Sequence, residues 1–64
     1  MRDPKRIDKN LAILGELWHK VPDLRFGQLL QILEIPKEKN VTDPFYWEDD
    51  VWEEIFQRTL DKYQ

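Results

Sequence analysis

The sequence predicts an all-α protein, a small three-helix bundle, and three observations support that prediction. Apolar residues recur at helical spacing in three separate stretches of the chain. Each of the four prolines stands where a helix should begin or has just ended. The hydrophobic content of 41%, with three Trp, three Phe and two Tyr, is not that of a disordered segment. We therefore expect residues 1–64 to form a single helical domain.

The first helix is predicted over residues 4–20. Asp3-Pro4 marks its start, with a carboxylate that caps free backbone N–H groups and a proline at the first helical position. Its apolar arc spans about 160° and should touch two elements, or one element and a partner chain. Gly15 lies on the edge of this arc and lowers helix stability by about 1 kcal/mol relative to alanine. Either a close backbone approach or a neutral exposed position would explain why a glycine stands there. The arc consists of Ile7, Leu11, Leu14, Trp18 and Val21, widened by Ile13 and Leu17.

The second helix is predicted over residues 23–35, with Asp23 as its N-cap. It is apolar around most of its circumference, so we expect it to be the central and most buried element. Three residues of its main stripe, Leu29, Leu30 and Leu33, should lie in the middle of the core.

The third helix is predicted over residues 50–62, because Asp50 and Glu53 form a capping box and the apolar residues that follow keep helical spacing. A polar connection at residues 36–40 and a short aromatic turn at residues 43–48 precede it. In that turn Phe45, Tyr46 and Trp47 are consecutive and match no helical stripe. They are either core plugs or an exposed binding anchor, since Trp and Tyr dominate binding hot spots.

Charge is distributed unevenly along the chain, which has a net charge of −3 and a pI near 5.0. These values argue against general nucleic-acid binding. Four cations at the start of the first helix stand where the helix dipole disfavours them: Arg2, Lys5, Arg6 and Lys9. Six acids surround the start of the third helix: Asp43, Glu48, Asp49, Asp50, Glu53 and Glu54. We expect the two clusters to pair, within one chain or across a dimer; the alternatives are a solvated basic face and a free acidic surface.

No pattern in the sequence indicates catalysis or a cofactor. The chain has no Cys and no Ser, and His19 is its only histidine, so a nucleophile with an orienting base is not expected. The acidic spacing does not match a calcium-binding loop. A second helix with a single Arg is a poor reader of a DNA groove. No apolar run is long enough to span a membrane, and no signal-peptide core is present, so a cytoplasmic location is expected.

Three sequence blocks together resemble those of a known group of proteins. The blocks are RDPKRI at residues 2–7, PDLRFGQL at residues 22–29 and DPFYWED at residues 43–49. They resemble a group of short, uncharacterised proteins of bacteria and their phages, and the resemblance covers nearly the whole chain. It implies a small bacterial or phage accessory protein, but no functional residue follows from it.

The sequence therefore predicts a non-enzymatic interaction protein that self-associates as a homodimer, without cofactor or metal. Its partner is expected to be a protein, and neither a membrane nor a nucleic acid. The candidate partner-binding residues are Phe45, Tyr46, Trp47, Glu48, Asp49 and Asp50. The alternative is a phage or mobile-element inhibitor whose acidic surface, residues 43–54, blocks the nucleic-acid-binding site of a target.

Overall fold

The computed structural model describes residues 2–39 and 43–64. Three α-helices make up the fold: α1 (Lys5–Lys20), α2 (Phe26–Gln31) and α3 (Asp49–Tyr63). Two short 3₁₀ helices lie between α2 and α3, at Lys37–Lys39 and Pro44–Tyr46. The described residues contain no strand, and the all-α, three-helix prediction is confirmed.

The start of α1 follows from its first residues. The Asp3 Oδ1 atom accepts a hydrogen bond from the Lys5 backbone N–H at 2.9 Å, and Pro4 has no N–H that would need a partner. The N-cap is Pro4 rather than the predicted Asp3, so α1 begins at Lys5, one residue later than predicted. After Lys20 the chain turns sharply, and the Trp18 Nε1–H donates to the Leu24 carbonyl at 2.9 Å, which ties the turn to the helix before it.

The core lies between α1 and α3, which run side by side in the same direction. Arg6 contacts Asp49, and Lys9, one turn further along α1, contacts Glu53, one turn further along α3. Residues deeper in the pair are almost fully buried. The core cluster consists of Leu17 from α1, Leu29 from α2, Leu33 from the segment after α2, and Ile55 and Leu60 from α3.

The second helix is much shorter than the predicted 23–35, and it is not the most buried element. Leu29 is fully buried and Leu33 is 9% exposed, but Leu30 is 42% exposed and lies outside the core. The prediction that Leu30 sits in the middle of the core is therefore wrong. Leu29 and Leu30 point about 100° apart on a helix, and the side of α2 that carries Leu29 faces the core.

Two predicted caps are also wrong. The N-cap of α2 is Arg25 rather than Asp23, and the Arg25 backbone N–H donates to the Gln28 side-chain carbonyl at 2.8 Å. The N-cap of α3 is Glu48 rather than Asp50. The Glu48 carbonyl accepts the first helical hydrogen bonds, so α3 already begins at Asp49.

A buried hydroxyl determines where α2 stops. The Glu34 backbone N–H donates to Thr59 Oγ1 at 2.8 Å, and Thr59 Oγ1 donates in turn to the Ile55 carbonyl at 2.8 Å. Thr59 is completely buried. Because the Glu34 N–H bonds to α3, it does not extend α2, and Pro36 disfavours a helical conformation of the residue before it. The segment after α2 therefore carries Leu33 into the core in an irregular conformation.

The end of α3 is tied to the same segment by an ion pair. Lys62 Nζ lies 2.8 Å from Glu34 Oε1. The hydrogen bond with Glu34, and then the negative charge of Glu34, raise the pKa of Lys62 above its ordinary value of 10.5.

We expect Leu29→Ala to destabilise the protein far more than Leu30→Ala. Removing a fully buried leucine side chain costs about 2–5 kcal/mol, which is comparable to the whole stability of so small a domain. Leu30→Ala should cost below about 1 kcal/mol, because its side chain is partly in water. Urea unfolding followed by far-UV circular dichroism measures both values. Equal losses for the two variants would contradict this core.

The Glu34–Lys62 pair should be visible in the titration of Lys62. Because the folded-state pKa is raised, the pair stabilises the fold fully below the unfolded pKa of about 10.5, and the stabilisation is lost as pH rises through the folded-state pKa. Glu34→Gln should lower the Lys62 pKa towards its ordinary value, because the hydrogen bond and charge of Glu34 are its largest causes, as NMR of the lysine side chain would show. Glu54→Gln is the control: it removes an equal charge from α3, away from Lys62, and should leave the Lys62 pKa unchanged.

Candidate functional site

The aromatic turn, residues 43–48, is held in shape by its own backbone. Asp43 Oδ1 accepts from the Phe45 N–H at 3.0 Å, and the Asp43 carbonyl accepts from the Tyr46 N–H at 3.0 Å. The Trp47 N–H donates to the Pro44 carbonyl at 3.1 Å, and Pro44 restricts its own φ angle. The short aromatic turn that the sequence predicts at residues 43–48 is confirmed, with Asp43 as the N-cap of its 3₁₀ helix.

The three consecutive aromatic residues do not share one environment. Phe45 is 82% exposed and Tyr46 is 76% exposed, and their rings meet edge to face with centroids 5.0 Å apart. Trp47 is partly buried and packs on Trp52, with centroids 5.1 Å apart. Successive residues of a 3₁₀ helix point about 120° apart, so a turn anchored by Trp47 projects its other rings into water. The core-plug interpretation is therefore wrong for Phe45 and Tyr46.

A row of ion pairs joins the starts of α1 and α3. Arg2 Nη2 lies 3.0 Å from Glu48 Oε2, Arg6 Nε donates to Asp49 Oδ2, and Lys9 Nζ lies 3.1 Å from Glu53 Oε1. The predicted pairing of the two charge clusters is confirmed, and it forms within one chain. Each partly exposed pair is worth about 0–1 kcal/mol. The acids also offset the two positive helix ends that meet at this point.

An open hollow of about 390 Å³ lies at the same junction. Asn10 extends from α1 into the junction, where its Nδ2 donates to the Asp49 carbonyl at 3.3 Å. Its Oδ1 is buried and has no hydrogen-bond partner among the residues that the structure describes. No group of acids or histidines among the described residues is arranged to hold a metal ion. The hollow is lined by Arg2, Asp3, Arg6, Asn10, Glu48, Asp49, Asp50 and Glu53.

His19 and Gly15 are linked to each other on the exposed side of α1. His19 Nδ1 donates to the Gly15 carbonyl at 2.7 Å, so the proton lies on Nδ1. A Cβ atom placed on Gly15 would meet nothing within 4 Å. Close backbone approach within the chain therefore does not explain this glycine, and the exposed-position explanation fits.

A continuous apolar surface, here called the apolar face, extends from α1 onto α2. Ile7, Leu11, Leu14 and Trp18 follow each other at helical spacing on α1, and Trp18 packs against Phe26 with ring centroids 5.5 Å apart. Leu30 lies one turn beyond Phe26 on α2. Four of the six residues are largely exposed: Ile7 at 48%, Leu11 at 61%, Phe26 at 48% and Leu30 at 42%.

The predicted 160° arc of α1 thus divides into two faces. Leu17 faces α3 and is buried, whereas Ile7 and Leu11 form part of the apolar face and remain in water. The exposure of Phe26 and Leu30 was missed by sequence reasoning. A continuous apolar pattern shows that a residue prefers burial, but it does not show whether a neighbouring element is long enough to provide it.

The six candidate partner-binding residues therefore divide into four groups. Phe45 and Tyr46 are exposed, and Trp47 is partly buried against the core. Glu48 and Asp49 are engaged by cations of α1. Asp50 is exposed and forms no ion pair among residues 2–39 and 43–64.

Comparison with known proteins gives no match to a protein-family model and none among curated proteins or solved structures. The resemblance to short bacterial and phage proteins stays a prediction. Within the described part of the chain, no helix is both long and apolar enough to cross a lipid bilayer.

We expect the melting temperature to fall by about 5 °C between about 0.02 M and 0.5 M sodium chloride, because salt screens the ion pairs between α1 and α3. Asp49→Asn should lower stability by about 1 kcal/mol and flatten the salt dependence. Asp50→Asn is the matched control, since it removes the same charge one residue away without breaking an ion pair. Thermal melts of the three proteins test this, and a melting temperature that rises with salt would contradict it.

Proposed function

We propose that this protein is a non-enzymatic interaction protein that self-associates as a homodimer through the apolar face. The observation that supports the proposal is the continuity of that face, in which Ile7, Leu11, Phe26 and Leu30 are each more than 40% exposed. Exposed apolar patches rimmed by polar residues mark protein–protein contacts. A second copy of the chain is the occupant that we infer.

The lengths of the helices explain why the face remains uncovered. At 1.5 Å per residue, the 16 residues of α1 extend about 24 Å, whereas the six residues of α2 extend about 9 Å. Only the Trp18 end of the face therefore has α2 beside it, through Phe26. A domain of this size is marginally stable on its own, and association is a common way to bury the remaining apolar surface.

The arrangement of charge on α1 favours a second copy over a charged partner. Lys5, Lys9 and Glu16 lie about 160–200° around the helix from Ile7. Arg6 points towards α3 and pairs with Asp49. A two-fold dimer brings the same patch of both copies together, and such a pairing of apolar faces places none of these charges in the contact.

The inhibitor function has less support. It needs a free acidic surface over residues 43–54, but Glu48, Asp49 and Glu53 are paired with cations of the same chain. An enzymatic function also has less support, because the chain lacks Ser and Cys and its one histidine is bonded to a backbone carbonyl.

The proposal includes a bacterial or phage origin and a cytoplasmic location. The resemblance of the three sequence blocks supports the origin. The absence of cysteine is compatible with the cytoplasm, where disulfides are rare.

Leu11→Glu should dissociate the dimer without unfolding the protein, because Leu11 is the most exposed residue of the apolar face and Glu is a good helix former. Ala12→Glu is the matched control, since it adds the same charge at the next, exposed position, about 100° away from the face. Sedimentation equilibrium at micromolar concentration measures the mass, and circular dichroism confirms that both variants are helical.

The wild type and Ala12→Glu should sediment with twice the chain mass of 7.9 kDa, and Leu11→Glu with the chain mass itself. A wild-type protein that sediments as a single 7.9 kDa species would overturn the proposed dimer.

A further inference from the structure

The aromatic turn is a second exposed surface, on different elements from the apolar face. Phe45 and Tyr46 expose most of their ring area although the backbone that carries them is hydrogen-bonded at every step from Asp43 to Trp47. Rings on a preordered turn lose little conformational entropy on binding, which is how rigid aromatic anchors gain affinity. The fold gains little from these two rings, so their position favours an external contact.

The charge around the turn restricts the chemistry of that contact. No Lys or Arg occurs between Lys39 and Arg58, whereas the same stretch contains six acids. Three of the acids are paired with cations of α1. The others, Asp43, Asp50 and Glu54, are exposed and form no ion pair among the described residues. Phosphates of a nucleic acid or of an anionic bilayer would be repelled here.

Asp43 holds its carboxylate against the backbone that carries the exposed rings. Its Oδ1 accepts from the Phe45 N–H at 3.0 Å, and a carboxylate has further lone pairs for other donors. An arginine guanidinium can stack on an aromatic ring and at the same time donate its N–H groups to a neighbouring carboxylate. A lysine ammonium lacks the planar, multidentate geometry that this combination requires.

We propose that Phe45, Tyr46 and Asp43 form a docking site for an arginine-bearing segment of another protein. The arginine side chain stacks on the exposed rings and donates to the Asp43 carboxylate, and Asp50 adds long-range attraction. This site is separate from the apolar face, so it stands whether or not the protein dimerises.

The test is a titration of the full chain with a capped hexa-arginine peptide, followed by amide chemical shifts in NMR spectra. About 0.15 M sodium chloride suppresses nonspecific attraction. The largest shifts should occur at Phe45, Tyr46 and the residues beside them, and hexa-lysine should bind at least about threefold more weakly. Equal affinities for the two peptides would mean attraction by charge alone and would overturn the arginine site.

Matched variants separate stacking from net charge. Tyr46→Ala should weaken hexa-arginine binding about threefold or more, whereas Tyr63→Ala removes a tyrosine at the far end of α3 and should leave the affinity unchanged. Asp43→Asn keeps a side-chain oxygen that can cap the turn but removes the charge, and it should also weaken binding. Asp8→Asn, which removes an equal charge from α1, is the control for Asp43→Asn.

Two further results would overturn the proposal. One is that a variant and its control weaken hexa-arginine binding equally. The other is that a single-stranded oligonucleotide or anionic vesicles bind in a way that depends on Tyr46. Sedimentation of Tyr46→Ala should match that of the wild type, which keeps this test distinct from the dimer test.

Discussion

The rest of the structure depends on the packing of α1 against α3 in the same direction. Leu17, Ile55 and Leu60 are buried almost completely at this contact. A parallel pair brings two positive helix ends together, which is unfavourable unless negative charge lies nearby. Asp49 and its neighbouring acids provide that charge, and they also bind the cations of α1. The same acids therefore offset the helix dipoles and align the two helices.

Thr59 connects this core to the surface proposed for self-association. Its hydroxyl accepts from the Glu34 N–H and donates to the Ile55 carbonyl, so the chain after α2 bonds to α3 and does not extend the helix. Leu11 of α1 remains largely in water, and it lies on the apolar face on which the proposed dimer rests.

The two exposed surfaces differ in chemistry, and this difference is the basis for assigning them different occupants. Lys5, Lys9 and Glu16 lie on the side of α1 opposite the apolar face, and Arg6 is paired with Asp49, which suits an identical face of a second copy. The aromatic turn combines exposed rings with an acid at hydrogen-bond distance from its backbone, which suits a cationic, planar group. A 64-residue chain can cover only part of its own apolar area, so both surfaces are consistent with a protein that functions through contacts.

The sequence by itself determined the features that depend on neighbouring residues: the helical class, α1 and α3 to within a residue or so at each end, and the short turn at residues 43–48. Helical spacing and turn signals are local, so these elements could be predicted without a fold. Opposite charge also predicted the pairing of the α1 cations with the acids of α3. Only the tertiary structure decided the ends of α2, the exposure of Leu30 and which aromatic ring enters the core. These depend on contacts between distant residues, as in the bond from Glu34 to Thr59, 25 positions away, and local pattern contains no information about them.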